Sequence, residues 1–171
     1  GQRGSAKERE ASRFACQHLN IDLVELEGGQ IGEAFRSRQK QRLHVPVPHR
    51  NLLILSLALS LAAQEGAKTI ALALQAEDVG WYPSASLSFV DQFRSLASVL
   101  EPDISVHTPF IALSKSQVIT RGHQLGLDYA QTYSCMKGSP NHCGACKQCK
   151  DRRKAFEDAG APEPAAFYER P

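Results

Sequence analysis

Residues 51–74 read NLLILSLALSLAAQEGAKTIALAL, a long apolar segment and a short one on either side of a glycine. The first, from about Asn51 to Glu65, has the length of a helix, and Gly66 stands where a left-handed cap would end it. The second, Thr69 to Leu74, is apolar without alternation, as expected for a strand covered on both faces. The stretch therefore predicts a helix that is buried on most faces, followed by a buried strand.

Helices and strands alternate on both sides of this stretch. Ser5 and Glu8 have the spacing of a capping box at the start of a first helix. Ser114 is placed to cap a helix that continues to Leu125, and Gly160 is placed to end the last one. The other predicted elements are strands at 21–26 and 104–107, helices at 87–100 and 147–159, and an exposed connection at 30–44. This order predicts an α/β fold with a parallel sheet, whose first helix lacks the strand that should feed it.

Length and charge limit the classes of protein. The 171 residues predict a single domain, residues 1–171, and the net charge of +2 is too small to suggest nucleic-acid binding. The longest apolar run, Leu52 to Ala63, is too short to span a bilayer. The opening residues show no signal-peptide pattern, and Gly1 in place of an initiator Met is consistent with processing or truncation.

Four of the five cysteines lie close together, at Cys135, Cys143, Cys146 and Cys149. A disulfide framework would spread its cysteines along a small secreted chain, so the clustering favours a metal in a reducing cytoplasm. The spacing Cys-x7-Cys-x2-Cys-x2-Cys suits a closed tetrahedral site of four thiolates, as in structural zinc sites. We therefore predict one structural zinc ion per chain, within a zinc-binding subregion at residues 134–160.

Two other interpretations of the cysteines stay open. An iron–sulfur cluster also takes four thiolates, although the bacterial ferredoxin spacing is absent, and a redox pair needs only two cysteines. His142 is expected to be exposed to solvent rather than to bind the metal, because its neighbour Cys143 already supplies a ligand. Cys16 is expected to pack as a small buried hydrophobe.

The cysteine segment, from Ser134 to Gly160, resembles the C-terminus of the 7-cyano-7-deazaguanine (preQ0) synthase family of queuosine biosynthesis. Other blocks match the same family in the same order, so the similarity covers almost the whole chain. These blocks are Gly1-Gln2-Arg3, Val47-Pro48-His49-Arg50-Asn51, His107-Thr108-Pro109, Leu113-Ser114-Lys115 and Gly126-Leu127-Asp128-Tyr129.

The resemblance implies a fold and a reaction. The fold is of the adenine-nucleotide α-hydrolase-like, PP-loop ATPase type. The reaction is an ATP-dependent C–N ligation, in which ATP, with Mg²⁺, activates 7-carboxy-7-deazaguanine or a related deazapurine. Ammonia then gives an amide, and dehydration gives the nitrile. The resemblance also implies a homodimer, with no membrane and no direct nucleic-acid partner.

Three departures from the family pattern bear on substrate and activity. The Ser-Gly-Gly-x-Asp-Ser phosphate loop is not found in residues 1–171, which predicts weak ATP binding by these residues alone. Where the family has Asp-Cys-Arg after Tyr-Pro, this chain has Ser84-Ala85-Ser86, and the lost Arg removes a bidentate partner for a carboxylate. The third departure is Gly4, where the family has His.

Five residues are candidate site residues on the strength of these matches. Arg50 and Asn51 are expected to bind the nucleotide; the alternatives are a surface charge and an ordinary helix cap. Lys115 is expected to act catalytically on a phosphate or carboxylate, because it matches the family and because a cation in a first helical turn is mildly disfavoured; the alternative is a solvated helix residue. Asp78 is expected to bind a guanine-like N–H edge; the alternative is an exposed loop acid. Tyr82 is expected to stack on the base; the alternative is a ring that only covers the edge of the core.

Two further arginines, Arg152 and Arg153, are expected on a solvated face of the last helix. Two functions of different class then remain. One is the ATP-dependent synthase, and the other is a non-catalytic, zinc-stabilised relative that serves as a binding or assembly module.

Overall fold

The computed structural model describes residues 4–39, 47–164 and 168–169. Gly1-Gln2-Arg3 and residues 40–46, which belong to the matched and connecting segments above, lie outside these ranges. The elements in chain order are α1 (Ser5–Leu19), α2 (Gly29–Arg36), α3 (Arg50–Glu65), β1 (Thr69–Ala71), α4 (Leu87–Leu100), β2 (Ser105–His107), α5 (Lys115–Gln124) and α6 (Lys147–Ala159). Single 3₁₀ turns lie at Ala76–Asp78, Pro83–Ala85 and Tyr129–Gln131. No helix within the described ranges is both long and apolar enough to cross a membrane.

The chain forms two compact units, one of residues 48–118 and one of residues 1–47 and 119–171. In the first unit β1 and β2 pair in parallel, with Ile70 opposite Val106. Helices α3 and α4 pack on this pair, and their side chains form its core together with those of the strands. The buried members are Leu55, Leu59, Ala62, Ile70, Phe93, Ala97, Ile104 and Val106. The predicted parallel sheet is thus confirmed in this unit.

The strand predicted at Thr69–Leu74 is shorter than expected. The Leu72 amide still donates to the carbonyl of His107, but the Leu74 amide turns back to the carbonyl of Leu72. This tight turn ends the ladder after Ala71, because the backbone is no longer extended.

The expectation that α3 is buried on most faces is wrong. Only Leu55, Leu59 and Ala62 are buried, at helical spacings of four and three. Leu53 and Ile54, in contrast, are 37% and 46% exposed. The helix buries one stripe, as an amphipathic helix does, although its outer face is apolar as well.

In the second unit, α1 begins one residue earlier than the capping box predicted. Gly4 is the N-cap and has no side-chain cap hydrogen bond, and Ser5 is the first helical residue. The carbonyl of Gly4 accepts from the amide of Glu8 at 3.0 Å. The predicted Ser5–Glu8 box is therefore wrong, although the helix itself is confirmed.

In this unit the strand predicted at 21–26 is wrong, and the connection predicted at 30–44 is largely exposed in its described part, as expected, but contains an unpredicted helix. Residues 21–26 pair with no strand among the described residues; they run back along α1, where Arg13 forms an ion pair with Glu25 (Nε–Oε1, 2.6 Å). The connection at 30–44 contains α2 in its described part, which places Ile31 and Phe35 one turn apart. The many Gln, Arg and Lys residues in this stretch made the short amphipathic pattern of α2 hard to recognise in the sequence.

Candidate functional site

The four clustered cysteines converge on one point. Cys135 and Cys143 lie in the loop before α6, Cys146 is the N-cap of α6, and Cys149 is in its first turn. Their sulfur atoms all lie within 4.8 Å of one another. Cys135, Cys143 and Cys149 are buried and Cys146 is partly buried.

The sulfur positions fit a tetrahedral ion. A Zn–S distance of about 2.3 Å requires S···S separations of about 3.8 Å. The separation from the Cys149 sulfur is 3.9 Å to that of Cys143 and 3.4 Å to that of Cys146. Gly144, between two ligands, has φ +71°, a left-handed conformation that glycine adopts without a steric penalty. The four cysteines could therefore hold a metal ion such as zinc, in agreement with the predicted ligand set.

Backbone amides favour the ionised sulfurs of this cluster. The amides of Lys137 and Cys143 point at the Cys135 sulfur, at 3.4 and 3.5 Å. Burial opposes ionisation of the Cys143 thiol, but hydrogen bonds from the amides of Ala145 and Cys146, together with those from the Cys135 and Cys146 side chains, lower its pKa to about 6. Burial raises the pKa of the Cys149 thiol, so a bound cation is what would keep that sulfur ionised.

The expected solvent exposure of His142 is wrong. The residue is only 2% exposed and lies between the rings of Tyr133 and Tyr168, with centroid distances of 4.8 and 5.7 Å. Its Nε2 accepts a hydrogen bond from the Ser134 amide at 3.0 Å, and burial lowers the pKa of its imidazole to about 4. A neutral His142 therefore braces the loop that carries Cys135 and Cys143, a role that adjacency to Cys143 could not reveal.

Arg152 is also misplaced by the sequence prediction, because it is buried rather than solvated. Its Nε donates to Glu163 Oε1 at 2.9 Å, and its Nη1 donates to Thr132 Oγ1 at 2.8 Å. The sequence did hold a signal for this: Arg152 lies three residues after Cys149 and four before Phe156, on one face of a helix.

In the other unit, Arg50 and Asn51 open α3. Asn51 Nδ2 donates to the carbonyl oxygen of Ser84 at 2.9 Å. The Arg50 Nε atom is buried and finds no hydrogen-bond acceptor among the residues that the structure describes. The preceding residue, His49, has φ +51°, which is uncommon for a residue with a side chain. An orphaned buried donor beside a strained residue is typical of a ligand site.

Asp78 and Lys115 lie on two segments that are fastened together. The carboxylate of Glu77 accepts from the Lys115 amide, at 2.9 and 3.1 Å to its two oxygens. The Ala76 amide donates to the carbonyl of Leu113 at 2.9 Å. Sequence reasoning missed Glu77, which caps α5 from outside that helix, where no local pattern shows it.

The side chains of Asp78 and Lys115 differ in their hydrogen bonding. Asp78 Oδ2 accepts from the Gln75 amide at 3.1 Å, which fixes the carboxylate. The Lys115 ammonium forms no ion pair or hydrogen bond within 4–39, 47–164 and 168–169. Tyr82 is 59% exposed. Ser114 caps α5 as predicted, accepting from the Gln117 amide at 3.2 Å.

The segment Ser84-Ala85-Ser86 points mainly inward. Ser84 and Ala85 are buried, and Ser86 Oγ caps α4 by accepting from the Phe89 amide at 3.1 Å. At least one serine that stands where the resembled family carries charge therefore has a structural task.

Comparison with known proteins points to one family. The family described as "Queuosine biosynthesis protein QueC" matches residues 27–160. The chain is 33% identical over 167 residues to 7-cyano-7-deazaguanine synthase 1 of Sulfurisphaera tokodaii, covering 98% of this chain and 81% of that protein. It is 35% identical over 169 residues to the 7-cyano-7-deazaguanine synthase of Rhizobium meliloti, covering 92% and 72%. The synthase of Methanoculleus marisnigri is 32% identical over 185 residues, covering 98% and 83%.

Proposed function

Because this chain belongs to the QueC family of queuosine biosynthesis proteins, we propose that it catalyses the ATP-dependent conversion of 7-carboxy-7-deazaguanine, or a related deazapurine, to the 7-cyano compound with ammonia. The family match over residues 27–160 carries this proposal. A PP-loop-like α/β fold follows from the family, and the parallel pair of strands is consistent with it.

Cations in residues 48–118 suit the first chemical step. A carboxylate is a poor electrophile, and transfer of AMP from ATP gives it a leaving group while pyrophosphate departs. The phosphates and the developing charge need positioned donors. The orphaned Nε of Arg50 and the unpaired ammonium of Lys115 can supply them. We assign Arg50 and Asn51 to the nucleotide and Lys115 to the reacting phosphate or carboxylate.

Recognition of the base is assigned to Asp78 and Tyr82. The Gln75 amide holds Oδ2 of Asp78, while Oδ1 accepts no hydrogen bond from any residue in the described ranges. A fixed carboxylate with a free oxygen suits the N–H edge of a guanine-like ring. The exposed ring of Tyr82 can stack on the same base.

The four cysteines are proposed to hold one structural zinc ion. A closed site with four protein ligands has no open position for a substrate, and when bound the ion supplies folding free energy. Mg²⁺ is expected to accompany ATP. We also infer a cytoplasmic homodimer; light scattering during size-exclusion chromatography tests the dimer.

The test is an assay of the natural polypeptide that contains residues 1–171. With ATP, ammonia and 7-carboxy-7-deazaguanine, mass spectrometry should detect the nitrile, and AMP should form. Lys115→Ala should lower kcat by about 10²-fold, the usual effect of losing one positioned donor. Lys154→Ala, an exposed lysine on α6, should leave kcat unchanged. A zinc-containing protein that forms no nitrile would support the non-catalytic module instead.

A further inference from the structure

Tyr168 lies against the four-cysteine cluster. Its side chain packs on the buried Cys135, Cys143 and Cys149, and its ring meets that of His142 edge to face, at an interplanar angle of 73°. An aromatic ring in this position excludes water from one side of the sulfurs.

The backbone of the same segment is paired with the cysteine loop. Tyr168 and His142 form an isolated parallel bridge. The Glu169 amide donates to the carbonyl of His142 at 2.7 Å. Since His142 immediately precedes Cys143, this hydrogen bond ties the C-terminal residues directly to a ligand-bearing turn.

An ion pair and a cation–π contact also hold Tyr168 in place. Glu163 Oε1 accepts from both Arg152 Nε, at 2.9 Å, and the hydroxyl of Tyr168, at 2.7 Å. The side chains of Arg152 and Glu163 are only 8% and 14% exposed. The Arg153 guanidinium lies over the Tyr168 ring, 4.4 Å from its centroid. Charge-assisted hydrogen bonds of this kind are stronger than neutral ones and hold the ring in place.

We propose that Glu163, Tyr168 and Glu169, which we call the C-terminal cover, close the metal centre and control how fast its ion exchanges with other ligands. The proposal rests on the proposed zinc site. A competing chelator must place its donor atoms on the metal, and three of the four cysteine residues are at most 4% exposed. Exchange therefore requires a local opening, and the cover contributes to the free energy of that opening.

The experiment measures zinc transfer from the intact chain to the chromophoric chelator 4-(2-pyridylazo)resorcinol at neutral pH. Glu169→Pro removes the amide that donates to His142, whereas Glu169→Ala keeps that amide and loses only an exposed side chain. We expect Glu169→Pro to release zinc about two- to tenfold faster than the parent, as for loss of one net hydrogen bond. Glu169→Ala should release zinc at the parental rate.

Two further variants separate the cover from general instability. Tyr168→Ala should accelerate release at least as much as Glu169→Pro. Leu59→Ala loses packing in the core of the unit of residues 48–118, which holds none of the cover residues, and should release zinc at the parental rate while the chain stays folded.

Three results would overturn the proposal: equal rates for Glu169→Pro and Glu169→Ala, equal rates for Glu169→Pro and the parent, or acceleration by Leu59→Ala to the same extent. If Tyr168→Ala does not fold, the two Glu169 variants decide the question. Zinc content measured before transfer separates the two levels of inference. A normal zinc content with equal release rates would contradict only the role of the C-terminal cover. A protein that holds no zinc would contradict the proposed zinc site as well.

Discussion

Asn51 and Ser84 are joined by a hydrogen bond from the side-chain amide of the first to the backbone carbonyl of the second, over 2.9 Å. The bond links the first turn of α3 to the 3₁₀ turn at Pro83–Ala85. The start of a helix assigned to nucleotide binding and the loop after Tyr82 are therefore held in one arrangement.

Removal of this link should cost stability. Asn51→Ala leaves the Ser84 carbonyl without its donor, and we expect the free energy of unfolding to fall by about 1 kcal/mol. Ser84→Ala keeps the backbone carbonyl, so its free energy of unfolding should stay closer to that of the parent. Urea unfolding of both variants compares them; an equal loss in the two would show that the link contributes nothing of its own.

Loss of a single thiolate should empty the metal site. Cys146→Ser should reduce bound zinc from one equivalent to near zero and lower the melting temperature, because structural zinc contributes directly to folding. Cys16→Ser is the control, since Cys16 lies on α1 and is not one of the clustered cysteines. Elemental analysis and thermal denaturation measure both. Iron in place of zinc, or an unchanged melt after metal loss, contradicts the assignment.

The buried ion pair of Arg152 should matter far more than an exposed one on the same helix. Arg152→Met leaves the partly buried Glu163 carboxylate without its charge partner, with only the Tyr168 hydroxyl still donating to it, and we expect a loss of about 3 kcal/mol, the lower end for a broken buried pair. Lys154→Met breaks the exposed pair with Asp158 and should change little. Chemical denaturation of both proteins provides the comparison, and equal small losses would mean that Arg152 is solvated in solution.

Gly122 should not tolerate a methyl group. A Cβ at this position would overlap the hydroxyl of Tyr129, which donates to the carbonyl of Ile119 at 2.9 Å. We expect Gly122→Ala to destabilise the protein by about 1–3 kcal/mol through overpacking. Gly29→Ala, in open space at the start of α2, should be neutral or slightly stabilising. Thermal unfolding of the pair tests whether the space at Gly122 is needed.

Ser86 offers a test of substrate preference that rests on the proposed function. Ser86→Arg restores the charge that the resembled family carries there, and it should raise kcat/KM for 7-carboxy-7-deazaguanine by about tenfold or more, as for one charge-assisted hydrogen bond. It should also lose about 1 kcal/mol of stability with the helix cap. Ser86→Ala should lose the same stability without the rise in kcat/KM. If Ser86→Arg gains nothing in the full polypeptide, the substrate pocket has not changed at this position.

Local chemistry explains which parts of the fold could be predicted. The bounds of α6 and its Gly160 cap agree with the prediction, because the cap, the periodicity and the preceding cysteines all lie in one short stretch. The convergence of the four cysteines on one point could likewise be predicted from their spacing alone. The start of α5 was predicted from Ser114, whose side chain acts on its own helix.

Partners distant in sequence explain the errors. Whether residues 21–26 form a strand depends on a neighbouring strand that no local pattern can guarantee. His142 lies between the rings of Tyr133 and Tyr168, and Tyr168 is 26 residues away in the sequence. Similarly, α3 is apolar all round, but how much of it is buried depends on what packs on its outer face. The assignments of Arg50, Asp78, Tyr82 and Lys115 stay predictions until the assays are done.

One helical stripe of α6 carries both Cys149, a member of the four-cysteine cluster, and the packing residues Arg152, Ala155 and Phe156. A helix turns by about 100° per residue. A one-residue insertion between Cys149 and Phe156 would therefore swing the ring away from its core by more than a quarter turn while the sulfur stayed in place. The loop from Cys135 to Cys143 is not helical, so a change in its length does not rotate one side chain about a helix axis relative to another. Over evolutionary time, changes of length in this region should therefore accumulate in the loop, while the distance from Cys149 to Phe156 stays at seven residues.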